Sequence, residues 1–219
     1  MQASSGDLVV AARAAGVSDE RVLSAIAATP RAAFAPAGFA RASYSDRPLP
    51  IPRGLVTTQP SLVAVMIAGL CLAGDEQVLE IGTGYGYQTA LLARLAEYVT
   101  SIEIYSDIAA VARRNLSRHG IRNVQVIVAD GTTGCAEGAP FDAVLVSAAH
   151  PDVPSPLIDQ LREGGRLVQP IGLGGSEDVT LFQRTAEGLR HLRTLTRANF
   201  VPLRGKHGFP HQRGTLRAD

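Results

Sequence analysis

The chain has 219 residues, with 21 Lys+Arg against 20 Asp+Glu and a formal net charge of +1. So close a balance excludes the broad basic field that holds nucleic acid and the polybasic patch that grips an anionic membrane, so neither partner is expected. At this length one domain buries roughly 70% of its unfolded surface, enough for a single three-layer core.

In chain order, residues 7–30 carry a helical pattern, with Val22, Leu23 and Ile26 on one face after the start signal Ser18-Asp19-Glu20. Residues 30–54 are rich in proline and aromatics (Phe34, Phe39, Tyr44, Pro48, Pro50, Pro52) and read as a long loop that packs over something. A helix is expected over 58–72, with Pro60 tolerated in its first turn. Strands then alternate with helices: strands at 78–81, 99–104, 124–128, 141–147 and 165–171, helices at about 86–95, 106–119 and 155–163. The run Val124-Gln125-Val126-Ile127-Val128 suits a parallel sheet covered on both faces. Beyond Gly172, residues 179–184 and 189–195 alternate apolar with polar around Ala186-Glu187-Gly188, the pattern of an antiparallel edge hairpin. A loose polar tail is expected after Pro210.

The predicted fold class is therefore α/β, a Rossmann-like, doubly wound and mostly parallel sheet with an antiparallel edge hairpin. One domain is expected across 1–219. Residues 1–57 form a helical and loop extension over the site, 58–172 a cofactor-binding core, 173–209 the C-terminal strands and 210–219 the tail. Cys71 and Cys135 have no His or Cys partner at ligand spacing, so reduced thiols and no metal site are expected, Cys71 buried in a helix. The N-terminus lacks a charged segment followed by an apolar one. The apolar run at 61–73 falls short of the ~20 residues of a membrane span. A cytoplasmic monomer is the expectation.

The chemistry converges at the strand ends. Val78-Leu79-Glu80-Ile81 runs into the glycine turn Gly82-Thr83-Gly84-Tyr85-Gly86-Tyr87, and the next apolar run ends in Glu103 about twenty residues on. That spacing brings a carboxylate to a ribose held over the first turn. The glycines follow E-x-G-x-G-x-G rather than the dinucleotide pattern G-x-G-x-x-G, which disfavours a dehydrogenase and suits a sulfonium nucleoside carrying an amino acid. The later strands deliver Asp130-Gly131 and Ser147-Ala148-Ala149-His150. Glu103 would bridge the ribose hydroxyls, Asp130 would accept from the adenine amino group, and Tyr85 or Tyr87 would supply a wall. Asp130-Gly131 is also a common turn pair, and Glu103 could be a solvated strand-end charge. Glu80 inside a buried strand must be hydrogen-bonded; bracing the turn and reaching a ligand ammonium are both open. His119, His150 and His207 read as structural or exposed.

Several segments together resemble the protein-L-isoaspartate (D-aspartate) O-methyltransferases. They are Pro30-Arg31-Ala32-Ala33-Phe34-Ala35-Pro36, Tyr44-Ser45-Asp46-Arg47-Pro48-Leu49-Pro50-Ile51, residues 54–60, 78–88, Ala129-Asp130-Gly131, 141–149, 160–172 and Phe200-Val201-Pro202-Leu203-Arg204-Gly205. The resemblance implies a class I methyltransferase that moves a methyl group from S-adenosylmethionine to the free α-carboxylate of isoaspartyl residues in damaged proteins. The ester then cyclises to a succinimide unaided. It implies a catalytic hydroxyl at Thr58, where the family carries serine, and a cofactor site of Thr57, Thr58, Gln59, Glu80, Gly82, Thr83, Gly84, Tyr85, Gly86, Tyr87, Glu103, Ile104, Asp130, Gly131 and Ser147. Leu55 and Val56 stand where the family carries Gln and Thr, and its later loop glutamine has no counterpart among Ser176-Glu177-Asp178. Thr57 and Thr58 also stand where a helix N-cap is wanted, which alone would account for a hydroxyl. Two further readings follow: a methyltransferase of the same fold acting on another peptide or small-molecule carboxylate, and a cofactor-binding protein without catalysis.

Overall fold

In a computed structural model, residues 4–210 are described; the expected loose tail after Pro210 lies outside them. Two helices open the chain. Helix α1, Ser5–Ala14, starts with a reciprocal cap in which Asp7 accepts from the Ser4 amide at 2.8 Å. Helix α2, Glu20–Ala28, is capped by Asp19, whose side chain accepts from the Arg21 amide at 2.9 Å, as the start signal predicts.

The proline-rich stretch contains a small antiparallel ladder, β1 (Leu49–Ile51) with β2 (Leu55–Thr57), turned by residues 52–54. Three-residue strands with a central Pro50 carry no readable alternation. Arg53 and Gly54 both take left-handed φ there, 66° and 68°. Helix α3 is Pro60–Leu70, shorter than expected at both ends. Its N-cap is Gln59, and the acceptor for the Ser61 amide is Asp46 Oδ1 at 2.8 Å, fifteen residues upstream. Neither threonine is therefore the cap. Cys71 is exposed, correcting its expected burial: the chain leaves the helix there in a left-handed conformation, φ 52°.

Seven strands form the main sheet: β3 (Gln77–Ile81), β4 (Tyr98–Glu103), β5 (Val124–Val128), β6 (Phe141–Val146), β7 (Leu161–Ile171), β8 (Glu177–Thr185) and β9 (Gly188–Ala198). Their spatial order is β5-β4-β3-β6-β7-β8-β9. Pairing is parallel from β5 to β7, and β8 and β9 form the antiparallel edge. Helices α4 (Tyr87–Leu92), α5 (Ser106–Arg118) and α6 (Ser155–Asp159) connect them. Helix α6 ends four residues before its expected limit because Leu161 already pairs with Phe141, so β7 begins earlier.

Strand β3 shows why the core is two-sided. Val78 faces a cluster with α3, α4 and the N-terminal helices, while Leu79 and Ile81 face a second cluster with Phe141, Leu157 and Leu203. Each such buried aliphatic side chain contributes about 1.5–3 kcal/mol. The order reverses between β3 and β6, and the parallel strands all end on one edge, so the crevice lies beyond Ile81 and Val146. The ladder runs one rung further there: the Gly82 amide donates to Ile102 O (2.8 Å), and the Ser147 amide to Ile81 O (2.9 Å). The segment after β9 returns beside Ala149, pairing at Pro202, with the Leu203 amide donating to Ala149 O at 2.7 Å.

Candidate active site

Three glycines make the turn after β3. Gly82 has φ 97°, and a Cβ there would sit 3.3 Å from Ser147 Cβ. Gly86 (φ 91°) is the N-cap of α4, pressed against Leu116 and Ala112 of α5. Only glycine meets both the conformation and the close approach.

Glu103 ends β4 and is 5% exposed. Its Oε2 accepts from the Gly84 amide at 3.0 Å and its Oε1 from the Tyr105 amide at 3.1 Å, so the glycine turn and the carboxylate hold each other in place. Burial raises its pKa above the ordinary carboxylate value, opposed by those backbone hydrogen bonds. Each oxygen keeps lone-pair capacity for a further donor.

Beside the glycine turn lies a cavity of 390 Å³, within the size range of small-molecule sites. Gly82, Glu103, Ile104, Gly131 and Ser147 line it, roofed by Arg53–Leu55 and residues 201–204. A smaller hollow of 100 Å³ shares the walls Leu55, Gly82, Ser147 and Val201. It adds Val56, Thr57, Thr58, Gly84, Tyr85, Tyr87 and Gln88. Ten of the residues expected from sequence thus line these two adjoining hollows.

Five do not. Gln59 donates to Asp46 Oδ2 at 2.8 Å and Ser61 Oγ at 3.0 Å, at the head of α3. Thr83 shares a 2.6 Å hydrogen bond with Ser101 beneath the turn, and Gly86 is the cap already described. Asp130 holds its neighbours: Oδ1 accepts from the Thr132 amide (2.9 Å) and hydroxyl (2.7 Å), Oδ2 from the Lys206 amide (2.7 Å). It thereby fixes the Gly131 wall and the loop after residue 203.

Glu80 is fully buried, its oxygens accepting from Gln88 Nε2 (2.9 Å), Thr89 Oγ1 (2.6 Å) and Ser101 Oγ (2.6 Å). It braces the turn rather than facing the cavity. Desolvation raises its pKa from 4.5 to about 7, opposed by those three hydrogen bonds. The folded state therefore binds more protons than the unfolded chain between those values, and stability falls as pH rises from about 4.5 to about 7. Denaturant titrations across that window should show the decline, and Glu80→Gln should flatten it; an unaltered slope would remove Glu80 as its source.

Two arginines escape a reading by sequence. Arg31, 2% exposed, donates to Ser43 O, Ser45 O and Arg47 O, to Thr57 Oγ1 at 3.0 Å and to Thr58 O at 3.3 Å. It fastens the 43–58 segment over the site. Arg53 lies over the Tyr105 ring (4.6 Å) and pairs with Asp107 at 3.1 Å, tying the β1–β2 turn to the start of α5. The one available signal is an arginine inside an otherwise apolar run at Arg31. His150 Nδ1 lies 2.8 Å from Asp152 O, outside the cavity lining. Among the described residues, no cluster of three His, Cys, Asp or Glu could hold a metal, and no helix is long and apolar enough to cross a membrane.

The residues suit a nucleoside with an attached side arm: a buried carboxylate that could take vicinal hydroxyls, and an adjoining hollow with mainly apolar walls in which Thr57, Thr58 and Gln88 supply polar groups. The comparisons agree. A model of the protein-L-isoaspartate(D-aspartate) O-methyltransferase family matches residues 3–208. A protein-L-isoaspartate O-methyltransferase of Methanoculleus marisnigri is 50% identical over 198 residues, 90% of this chain and 89% of the relative. Among solved structures, a protein-L-isoaspartate O-methyltransferase superposes with TM-score 0.82 at 29% identity, covering 93% of this chain and 67% of that one. A β-aspartate methyltransferase from Plasmodium falciparum, in complex with S-adenosyl-L-homocysteine, shares the fold at TM-score 0.77 and 21% identity, over 91% of this chain and 97% of that one.

Proposed function

The chain belongs to the protein-L-isoaspartate O-methyltransferase family, and on that premise we propose how its residues carry out S-adenosylmethionine-dependent methylation of isoaspartyl carboxylates. The cofactor, when bound, supplies a methyl group on a positively charged sulfur. Glu103 accepts from the ribose hydroxyls, and Ile104 and Gly131 flank the base, Gly131 held by the Asp130 turn. The observation that carries the reading is the buried Glu103 carboxylate, pinned to the glycine turn at the mouth of the 390 Å³ cavity.

The nucleophile needs no base. A carboxylate with a pKa of ~4 is ionised at neutral pH, so accepting a methyl group would require no proton transfer. What remains for the protein is alignment and exclusion of water. Thr58 lines the smaller hollow and its backbone carbonyl accepts from Arg31, which supports the role of its hydroxyl as a donor to the incoming carboxylate. Leu55 and the 49% exposed Val56 form an apolar lip beside it. A cytoplasmic monomer acting on protein and peptide substrates belongs to the same reading, and the even charge balance offers no basic field for nucleic acid or an anionic membrane.

The test is methyl-ester formation on an isoaspartyl peptide and its aspartyl twin. Methylation of the first alone is expected. In Thr58→Ala, kcat should fall about 10- to 100-fold, the value of a hydrogen bond to a charged group, with S-adenosylhomocysteine affinity little changed. Equal turnover in the two proteins removes Thr58 from the reaction. The lip of Leu55 and Val56 favours one alternative, a different peptide carboxylate as substrate. Silence on isoaspartyl peptides with activity on another carboxylate would select it.

A further inference from the structure

The two sides of the roof over the 390 Å³ cavity are held differently. Residues 201–204 are bound to the end of the sheet: the Ala149 amide donates to Val201 O (2.8 Å) and the Leu203 amide to Ala149 O (2.7 Å). The opposite side is the tip of the β1–β2 hairpin, residues 52–54, beyond the last ladder pair of Ile51 with Leu55. The base of that hairpin is fixed, because the buried Arg31 donates to Thr57 Oγ1 and Thr58 O.

Arg53 joins the tip to the far wall. Its Nε donates to Asp107 Oδ1 (3.1 Å) and Oδ2 (3.2 Å), and its guanidinium lies 4.6 Å from the centroid of the Tyr105 ring. Arg53 and Tyr105 both line the cavity, one from the hairpin and one from the segment after β4. The side chains of the ion pair are about half exposed, 47% for Arg53 and 51% for Asp107, so water competes for the contact and it breaks readily. Arg53 also has φ 66°, one of two non-glycine residues with positive φ among the described residues. That conformation is disfavoured for a residue with a Cβ, and the Arg53 contacts offset its cost.

We propose that Arg53, Tyr105 and Asp107 form a clasp that gates the cofactor cavity. When it opens, the hairpin tip swings about its Arg31-held base, and the methyl donor and S-adenosylhomocysteine pass beneath it. The inference rests on the cofactor reading above and deepens it by assigning what limits ligand exchange. A buried tie at the tip would trap the product, and an untied tip would leave the cavity open to water. An exposed ion pair backed by a cation–π contact lies between those extremes. Release of the tip also frees Arg53 from its left-handed backbone, which favours a distinct open state.

The experiment measures S-adenosylhomocysteine entry and release by stopped flow in wild type, Asp107→Asn and Arg53→Gln. Asp107 lies outside the cavity lining, so Asp107→Asn loosens the clasp without altering a cavity wall. Release should quicken about 2- to 5-fold in Asp107→Asn and about 5- to 20-fold in Arg53→Gln, which loses the ring contact as well. Entry should quicken by a similar factor, leaving Kd nearly unchanged, because a gate alters passage in both directions. Amide exchange over residues 52–57 of the ligand-free protein should quicken in the same order. Unchanged release in both variants would overturn the proposal, as would faster release with no change in entry, the mark of a binding contact. Faster exchange without faster release would show a clasp that gates nothing, and would overturn it too. Wild type with no affinity for S-adenosylhomocysteine would instead sink the cofactor reading, and the gate with it, whatever the exchange shows.

Discussion

Glu103→Ala is expected to weaken S-adenosylhomocysteine binding about 100-fold or more, measured by calorimetry at neutral pH. Two effects add. The variant loses the acceptors for the ribose hydroxyls, each a hydrogen bond to a charged group worth about 1.5–3 kcal/mol. It also releases the Gly84 and Tyr105 amides, which the carboxylate holds at 3.0 and 3.1 Å, so the glycine turn loses its tether. Glu103→Gln separates the two, because the amide oxygen keeps one acceptor while the NH2 faces a backbone N–H. An intermediate loss is expected from it. Burial raises the Glu103 pKa, so wild-type affinity should weaken on acidification as the carboxylate takes up a proton and one oxygen becomes a donor. Unchanged affinity in Glu103→Ala would refute the ribose assignment.

Replacing Arg31 should cost the most stability. Arg31→Met retains an unbranched apolar stem but withdraws the donors that serve four carbonyls and the Thr57 hydroxyl. Those acceptors are drawn from Ser43 to Thr58, so no nearby group replaces the guanidinium. At about 1 kcal/mol net for each, the loss is about 4–5 kcal/mol. For a chain of this length it corresponds to a melting temperature lower by about 10–15 °C. Desolvation brings the Arg31 pKa down to about 10, partly offset by Tyr87 and Asp46, so the guanidinium stays charged at neutral pH. Arg31→Lys should recover little, since a point charge with three donors cannot reproduce a planar fork. The same contacts hold Thr57 and Thr58 beside the hollow, so methyl transfer should fall even where the variant is fully folded. A melting shift below about 2 °C would show that water or a rearranged loop satisfies these carbonyls.

Much of the architecture could be read locally, because the signals are themselves local. The apolar runs of β3 to β6 report strands covered on both faces, and the glycines after Ile81 report a turn that other residues cannot make. Asp19 reports the start of α2 through an amide only two residues away. Glu103 was legible for the same reason: a carboxylate ending an apolar strand can point only to the crevice or to water. The β1–β2 ladder was not legible, since three-residue strands interrupted by proline show no alternation. The end of α6 was misplaced because the pairing of Leu161 with Phe141 overrides the helical pattern. Cys71 lies past a helix end that its apolar neighbours conceal.

Sequence alone determined the parallel α/β core, the glycine turn with the acid that ends the next strand, and the family to which they belong. All three rest on periodicity, turn chemistry and motifs contiguous along the chain. Tertiary structure decided which way each polar side chain faces: Glu80 inward to Gln88, Thr89 and Ser101, Asp130 to Thr132 and Lys206, and Arg31 to carbonyls 12 to 27 positions away. Hydrogen-bond partners of buried groups are chosen by proximity in space, and proximity between distant segments exists only once the sheet has formed and the 43–58 segment has closed over it.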